Sequence, residues 1–348
     1  MSRSWPDVLT GLVTGNDLDP EAAAWAMNEI LVGAATPAQI AGFMVALQAK
    51  GVTPGELTGL VSGMLANARS ITLPTAEAVD IVGTGGDRAN TVNISTMAAV
   101  TAAAAGARVV KHGNRAASSA SGTADCLEAL GVVLDLDPAS QAQVFEDVGI
   151  VFLFASHYHP SLRNAAAPRR ELGIRTVFNF LGPLANPARP NAQAIGVADP
   201  VMAGVVADVV AGRGQRGLVF HGGDGLDELT TTTQSRVWVV AEGRVVETTL
   251  DPADLGIPRA TRDDLIGGDP AVNAQVARDT FAGKPGAVRD IVTVNAAAAL
   301  LAFDGPDLDA PLADQFRDRI ARASQALDDG SATALLQRWV DATRRLAR

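Results

Sequence analysis

The sequence predicts an α/β protein built from a small all-helical domain and a large α/β domain with a mainly parallel central sheet flanked by helices. Three observations predict it. Residues 1 to about 69 carry only helical signatures. From Val79 onward, short apolar runs alternate with helical segments. A chain of 348 residues also exceeds what one hydrophobic core usually organises.

The N-terminal helices are announced by their caps. Asp19-Pro20, Thr36-Pro37 and Thr53-Pro54 each set a capping side chain before a proline at the first helical position. Glu56 follows Thr53 at the spacing of a capping box. Behind the caps, Ile40, Phe43, Met44 and Leu47 form one apolar face, and Leu57, Leu60, Val61, Met64 and Leu65 another. This bundle carries no catalytic constellation of its own.

In the larger part, Val79–Val82, Val109–Lys111 and Ile150–Phe154 read as buried strands, with helices at 95–105, 121–130 and 138–148. Residues 178–191 hold three prolines, Pro183, Pro187 and Pro190, and read as a rigid connection instead of one regular element. Gly217–Phe220 resumes as a strand. Val237–Val240 and Val245–Thr248 form a hairpin through Glu242-Gly243, and the chain is helical again from about 270.

Composition narrows the function. A hydrophobic content of 47% with 19% charged residues describes an ordinary globular protein. The net charge of −10 argues against coating nucleic acid or an anionic membrane. No segment is long enough to span a bilayer, and the N-terminus lacks the uninterrupted apolar run of a secretory signal, so a cytoplasmic protein is expected. The single cysteine, Cys126, fits a reducing compartment and a buried apolar role.

Two strand-to-helix junctions carry the chemistry. After the first strand come Gly83-Thr84-Gly85-Gly86-Asp87 and the bend Asn93-Ile94-Ser95-Thr96. After the second come Lys111-His112-Gly113-Asn114-Arg115 and small residues through Ser121. Backbone amides, hydroxyls and fixed positive charge at such junctions hold phosphate. A dinucleotide fingerprint is excluded because Arg88 stands where its last glycine is required, and a Walker loop because Pro285 follows Lys284. The loop instead ends in Asp87, whose carboxylate suits the hydroxyls of a sugar phosphate.

Lys111 ends an apolar strand and is one of three lysines, so it is expected in the cleft and not on the surface. Ser118, Ser119 and Thr123 cluster beside Lys111 and Arg115, which favours anion binding over simple capping. His112, His157, His159 and His221 lack zinc-ligand spacing, and His112 and His159 rank as substrate-pocket residues. Asp227-Glu228 follow a glycine-rich turn at a strand end, a position that favours Mg²⁺, with Ser95 as a possible neutral ligand. For Arg169-Arg170 the residues leave two readings open: surface salt bridges, or bidentate recognition of a substrate carboxylate.

Five segments, GTGGD at 83–87, NIST at 93–96, KHGNRAASS at 111–119, RRELGIRTVFNFLGPLANPA at 169–188 and GLDELTTTT at 225–233, together closely resemble the anthranilate phosphoribosyltransferases over nearly the whole chain. The resemblance implies a helical domain of residues 1–71 completed by an inserted segment at about 165–187. The α/β domain would then comprise 72–164 and 188–348. It implies a homodimer associating through the helical domains, and Mg²⁺-dependent transfer of phosphoribose from 5-phosphoribosyl pyrophosphate to anthranilate in tryptophan biosynthesis.

Carried over by position, the donor site comprises Gly83, Gly86, Asp87, Thr91, Asn93, Ile94, Ser95, Thr96, Lys111, His112, Gly113, Asn114, Arg115, Ala116, Ala117, Ser118, Ser119 and Thr123. The metal positions are Ser95, Asp227 and Glu228. The anthranilate positions are Gly83, Asn114 and Arg169, with His112, His159 and Gly182 along the approach. Pro168 stands where valine is commoner and Ala185 where threonine is frequent; neither removes a group assigned to chemistry. The competing readings are a pyrimidine nucleoside phosphorylase, which would need no acidic metal pair, and a nucleic-acid-binding relative, which would carry a basic face.

Overall fold

The computed structural model describes residues 3–115 and 120–347. Four helices open the chain: α1 (Trp5–Val13), α2 (Pro20–Leu31), α3 (Pro37–Lys50) and α4 (Pro54–Ala66). The expected caps form. Asp19 accepts from the Ala22 amide, and Thr36 and Thr53 close capping boxes with Gln39 and Glu56. Such caps contribute about 1 kcal/mol each. Helices α2 and α4 touch backbone to backbone. A Cβ on Gly59 would stand 2.1 Å from the Pro20 carbonyl oxygen, so only glycine permits that approach.

The larger part begins with β1 (Val79–Gly83), α5 (Ile94–Ala104), β2 (Val109–Gly113), α6 (Thr123–Leu130), α7 (Pro138–Val148) and β3 (Ile150–Phe154). A short α8 (Ala155–Tyr158) and a 3-10 turn lead into α9 (Ala166–Leu172) and α10 (Phe178–Leu184). The chain then returns through β4 (Ala192–Gly196), α11 (Pro200–Gly212), β5 (Arg216–Gly222) and the hairpin β6 (Ser235–Ala241) and β7 (Arg244–Leu250). Helices α12 (Pro270–Phe281), α13 (Ala287–Asp304), α14 (Leu312–Asp328) and α15 (Ser331–Leu346) finish it.

The seven strands form one sheet in the order β3-β2-β1-β4-β5-β6-β7, parallel from β3 to β5 and antiparallel thereafter. The hairpin turn has left-handed backbone at both Glu242 and Gly243, which matches the right-handed twist of its strands. Two findings correct the sequence reading. Strand β4, AQAIG, was not anticipated, yet it fills the centre of the sheet with all five residues buried. Residues 178–191 are also more than a connection, because Phe178–Leu184 is helical with Pro183 inside it. Pro183 lies in the last turn, where its missing N–H removes only one rung.

One core fills the sheet face under α5, α6 and α13. The second is continuous from the N-terminal helices through Phe178, Phe180, Leu181 and Leu184 to α11 and the other face of β4 and β5. Alanines explain how tightly these layers close. Ala296–Ala299 of α13 are buried against α5, itself alanine-rich.

Candidate active site

The chain leaves β1 for β2 on one side and later lays β4 on the other, so a crevice opens at the carboxyl ends of β1 and β4. Ligands of parallel sheets bind at such switch points. The loop after β5 folds over this crevice. A Cβ on Gly83 would stand 2.1 Å from Asp227 Oδ2, and one on Gly196 only 1.7 Å from the Asp227 carbonyl oxygen. Glycine at both strand ends is therefore what admits the acidic doublet. Asp227 Oδ2 accepts from the Gly85 amide at 2.7 Å, joining two motifs far apart in sequence. Gly85 and Gly86, at φ +72° and +82°, take a backbone that L side chains rarely adopt.

Four carboxylates, Asp80, Asp87, Asp227 and Glu228, and one ammonium, Lys111, meet here. Glu228 lies close to the Ser95 amide in the first turn of α5, whose N-cap residue makes no side-chain capping bond. Lys111 is almost completely buried and donates to the Ile81 carbonyl and, at 3.2 Å, to Ser95 Oγ. Burial pulls the Lys111 pKa below the usual lysine range, opposed by the charges of Asp80, Glu228 and Asp227. Burial first, then the charge of Asp87, pushes Asp227 upward. Burial and Asp227 push Glu228 well above the ordinary carboxylate range. Crowded buried carboxylates with raised proton affinity are a site short of positive charge.

That donor set fits a magnesium ion. The oxygens on offer are hard ones, the Asp227 and Glu228 carboxylates and the Ser95 hydroxyl. Among the described residues no group of three or more His, Cys, Asp or Glu side chains forms a metal cage. Mg²⁺ typically uses one or two carboxylates and completes its shell with water and substrate phosphate.

The neighbouring histidines are neutral. His112 Nδ1 lies 3.1 Å from the Gly182 carbonyl and must carry the proton, which leaves Nε2 bare; that atom is buried without a partner. Burial pushes the His112 pKa down to about 3, and burial lowers that of His159, whose Nε2 pairs with the Ala185 carbonyl. The two rings meet edge to face at 5.4 Å. Arg169, on α9, lies over the Phe178 ring and has no carboxylate partner among the described residues. Burial lowers its pKa. A half-buried guanidinium without a counterion is ready for an incoming carboxylate.

Other predicted residues line or brace the crevice. Asn114 accepts from Ser156 Oγ at 3.0 Å. Gly113 packs on Phe152 and Thr123, where a Cβ would be 3.0 Å from the Phe152 ring. The Thr96 hydroxyl is buried without a partner at the α5 entrance. Thr91 pairs with Ile266 in an isolated bridge, and Asp87 Oδ1 accepts the Ala89 amide at 3.2 Å. Ile94 is an apolar core residue. Asn93 is engaged by the protein itself, bonded to Ser121 and to Asn273. Arg115 binds Asp125 and Glu128 on α6, so two carboxylates compensate its charge before any phosphate arrives. Ala116, Ala117, Ser118 and Ser119 lie outside the described residues.

Several participants were missed in the sequence. Asp80, wholly buried in β1, accepts the His112 amide at 3.1 Å and Asn186 Nδ2 at 2.9 Å. Burial raises its pKa to about 6 against the opposing charge of Lys111. A lone aspartate inside an apolar strand was the available signal. Arg175 donates to the Gly86 carbonyl, and Gly196 had no signal once its strand went unrecognised.

A helical bundle set against a sheet whose switch-point crevice gathers a glycine loop, a buried lysine and an acidic doublet defines a class of group transferase. Residues 6–68 match the glycosyl transferase family, helical bundle domain, and residues 75–333 match its a/b domain. The anthranilate phosphoribosyltransferase of Thermobifida fusca is 57% identical over 346 residues, covering 99% of each chain. That of a Nocardioides species is 58% identical over 343 residues, 98% of this chain and 99% of the relative. The crystal structure of the Thermus thermophilus enzyme superposes with a TM-score of 0.90 at 39% identity, covering 97% of this chain and 99% of that one. The Saccharomyces cerevisiae enzyme in complex with PRPP and Mg shares the fold, with a TM-score of 0.87 at 24% identity over 98% of each chain. The chain belongs to the anthranilate phosphoribosyltransferase family.

Proposed function

We propose that this protein transfers the phosphoribosyl group of 5-phosphoribosyl pyrophosphate to the amino group of anthranilate, giving N-(5-phosphoribosyl)-anthranilate and pyrophosphate in tryptophan biosynthesis. The carrying observation is the buried Asp227-Glu228 doublet seated on the glycine loop beside Lys111. The donor lies along Gly83–Asp87, the α5 entrance from Thr91 to Thr96, and Lys111 through Ser119 with Thr123. Asp87 accepts from ribose hydroxyls. Ser95, Asp227 and Glu228 hold Mg²⁺, which when bound offsets charge on the pyrophosphate.

Anthranilate enters past His159 and Gly182, and Arg169 pairs with its carboxylate near Asn114. The bond from the anomeric carbon to pyrophosphate breaks with its electron pair leaving on oxygen. The amine then forms the new C–N bond and gives its proton to the departing pyrophosphate. Amides of the glycine loop and Lys111 stabilise the departing charge, and the neutral aromatic amine is already nucleophilic, so alignment outweighs base strength. His112, with its pKa pushed down to about 3, is a poor proton acceptor, in keeping with that economy.

Residues 1–71 with about 165–187 act as the helical domain and dimerise, and the protein is cytoplasmic. Val13, Val32 and Val45 are open on that domain. Among the described residues no helix is long and apolar enough to cross a membrane.

Fluorescence of anthranilate consumption tests this reading. D227N/E228Q should lose metal-dependent turnover. R169A should raise the anthranilate KM roughly ten- to a hundredfold, the worth of about 1.5–3 kcal/mol of charge-assisted bonds, with donor affinity unchanged. Turnover of a nucleoside with inorganic phosphate instead would establish the phosphorylase reading.

A further inference from the structure

Asn295 belongs to no motif recognised in the sequence, yet it touches the residue next to the doublet twice. It sits on α13, fully buried, where that helix runs along β1, β4 and β5. Its Oδ1 accepts the Leu229 amide at 3.0 Å, and its Nδ2 donates to the Leu229 carbonyl at 2.8 Å. The same Nδ2 donates to the Ile291 carbonyl one turn back at 2.9 Å, which fixes the orientation of the side-chain amide. Leu229 is thus held by both backbone groups, as a strand neighbour would hold it, but from a helix.

The outer side of the loop has a separate brace. Asp224 accepts from the hydroxyls of Thr230 and Thr232 at 2.8 and 2.6 Å. Asn295 bonds the segment beside Glu228 to α13, a helix that also runs along β1.

We propose that Asn295 is a positioning residue for the metal-binding doublet, setting the height of Asp227 and Glu228 over Gly83 and Gly196. The proposal rests on the reading of that doublet as the Mg²⁺ site. Loss of the side chain strands a buried amide and a buried carbonyl, and the loop must shift to regain partners. That shift acts on the two carboxylates before it reaches Arg169 or the histidine pair.

The test is a manganese titration of the intact protein followed by electron paramagnetic resonance, with 5-phosphoribosyl pyrophosphate present and anthranilate absent, so that no turnover occurs. Wild type, D227N/E228Q, N295A and N295D are compared, with circular dichroism to establish folding and anthranilate affinity measured separately. N295A should bind the metal ten- to a hundredfold more weakly with anthranilate affinity within twofold of wild type. N295D, which keeps the acceptor but sets a carboxylate oxygen against the Leu229 and Ile291 carbonyls, should bind the metal at least as weakly as N295A. Wild-type metal affinity in folded N295A overturns the proposal, as does an equal loss of anthranilate affinity. If N295A does not fold, the same criteria applied to N295D decide. Equal metal binding by wild type and D227N/E228Q would instead remove the doublet from metal binding, and this role with it.

Discussion

His112 is held neutral by its surroundings: burial pushes its pKa from 6.5 to about 3, and its Nδ1–H donates to the Gly182 carbonyl. The folded state therefore binds fewer protons than the unfolded chain between those values. This contribution to stability is intact above pH 6.5 and declines as pH falls toward 3, by about 1.4 kcal/mol per unit. His112→Asn keeps a donor for Gly182 and removes the titration. Urea midpoints at pH 7, 5.5 and 4.5 should show a shallower acid decline in the variant; an unchanged slope would mean the imidazole is not held neutral by burial. Turnover should fall by less than the roughly hundredfold that loss of a general base costs. At this scale the sequence was informative about which groups gather and silent about their state. Lys111, Asp227 and Glu228 were readable from strand ends and glycines, whereas the protonation of His112 depends on neighbours from three separate segments. Asn93 and Arg115 illustrate the reverse, since each was readable as a donor-site residue and each is bonded to other parts of the protein.

Short buried strands and close approaches are the elements least visible in a linear chain. Strand β4 has five residues, buried on both faces and interrupted by Gln193, so it shows no alternation. It nevertheless supplies Gly196, over which the Asp227 peptide passes. Gly196→Ala places a Cβ against backbone that cannot rotate away, so the loop carrying the doublet must rise. The expected cost is about 1–3 kcal/mol of stability, typical of overpacking. It should come with a weakened Mg²⁺ dependence of turnover, read by urea unfolding and a magnesium titration. Unaltered stability and metal dependence would show that the loop is free to move. The helix caps at Asp19, Thr36 and Thr53 behave oppositely: each is a local motif, each was legible, and each forms as expected.

Val13 is 72% exposed, Val32 58% and Val45 42% on the helical domain, while Val201 at 76%, Val246, Ile266 and Val272 are open on the α/β domain. Sedimentation equilibrium should give the mass of two chains, and Val13→Glu with Val45→Glu should shift the protein toward one chain without unfolding it. A wild-type monomer at micromolar concentration would remove the dimer from the proposal. What the sequence by itself determined was the two-part architecture, the glycine-bearing strand-end junctions and the family, because caps, periodicities and loop motifs are written in neighbouring residues. The tertiary structure alone decided that β4 lies beside β1 and that the Asp227 peptide crosses two glycines. It also decided that Asp80 and Lys111 share one dry interior. Those relations join segments far apart in the chain, more than a hundred residues for β1 with β4 and for Gly83 with Asp227. They are fixed by strand order and by the close packing of a sheet between two cores, which no local pattern encodes.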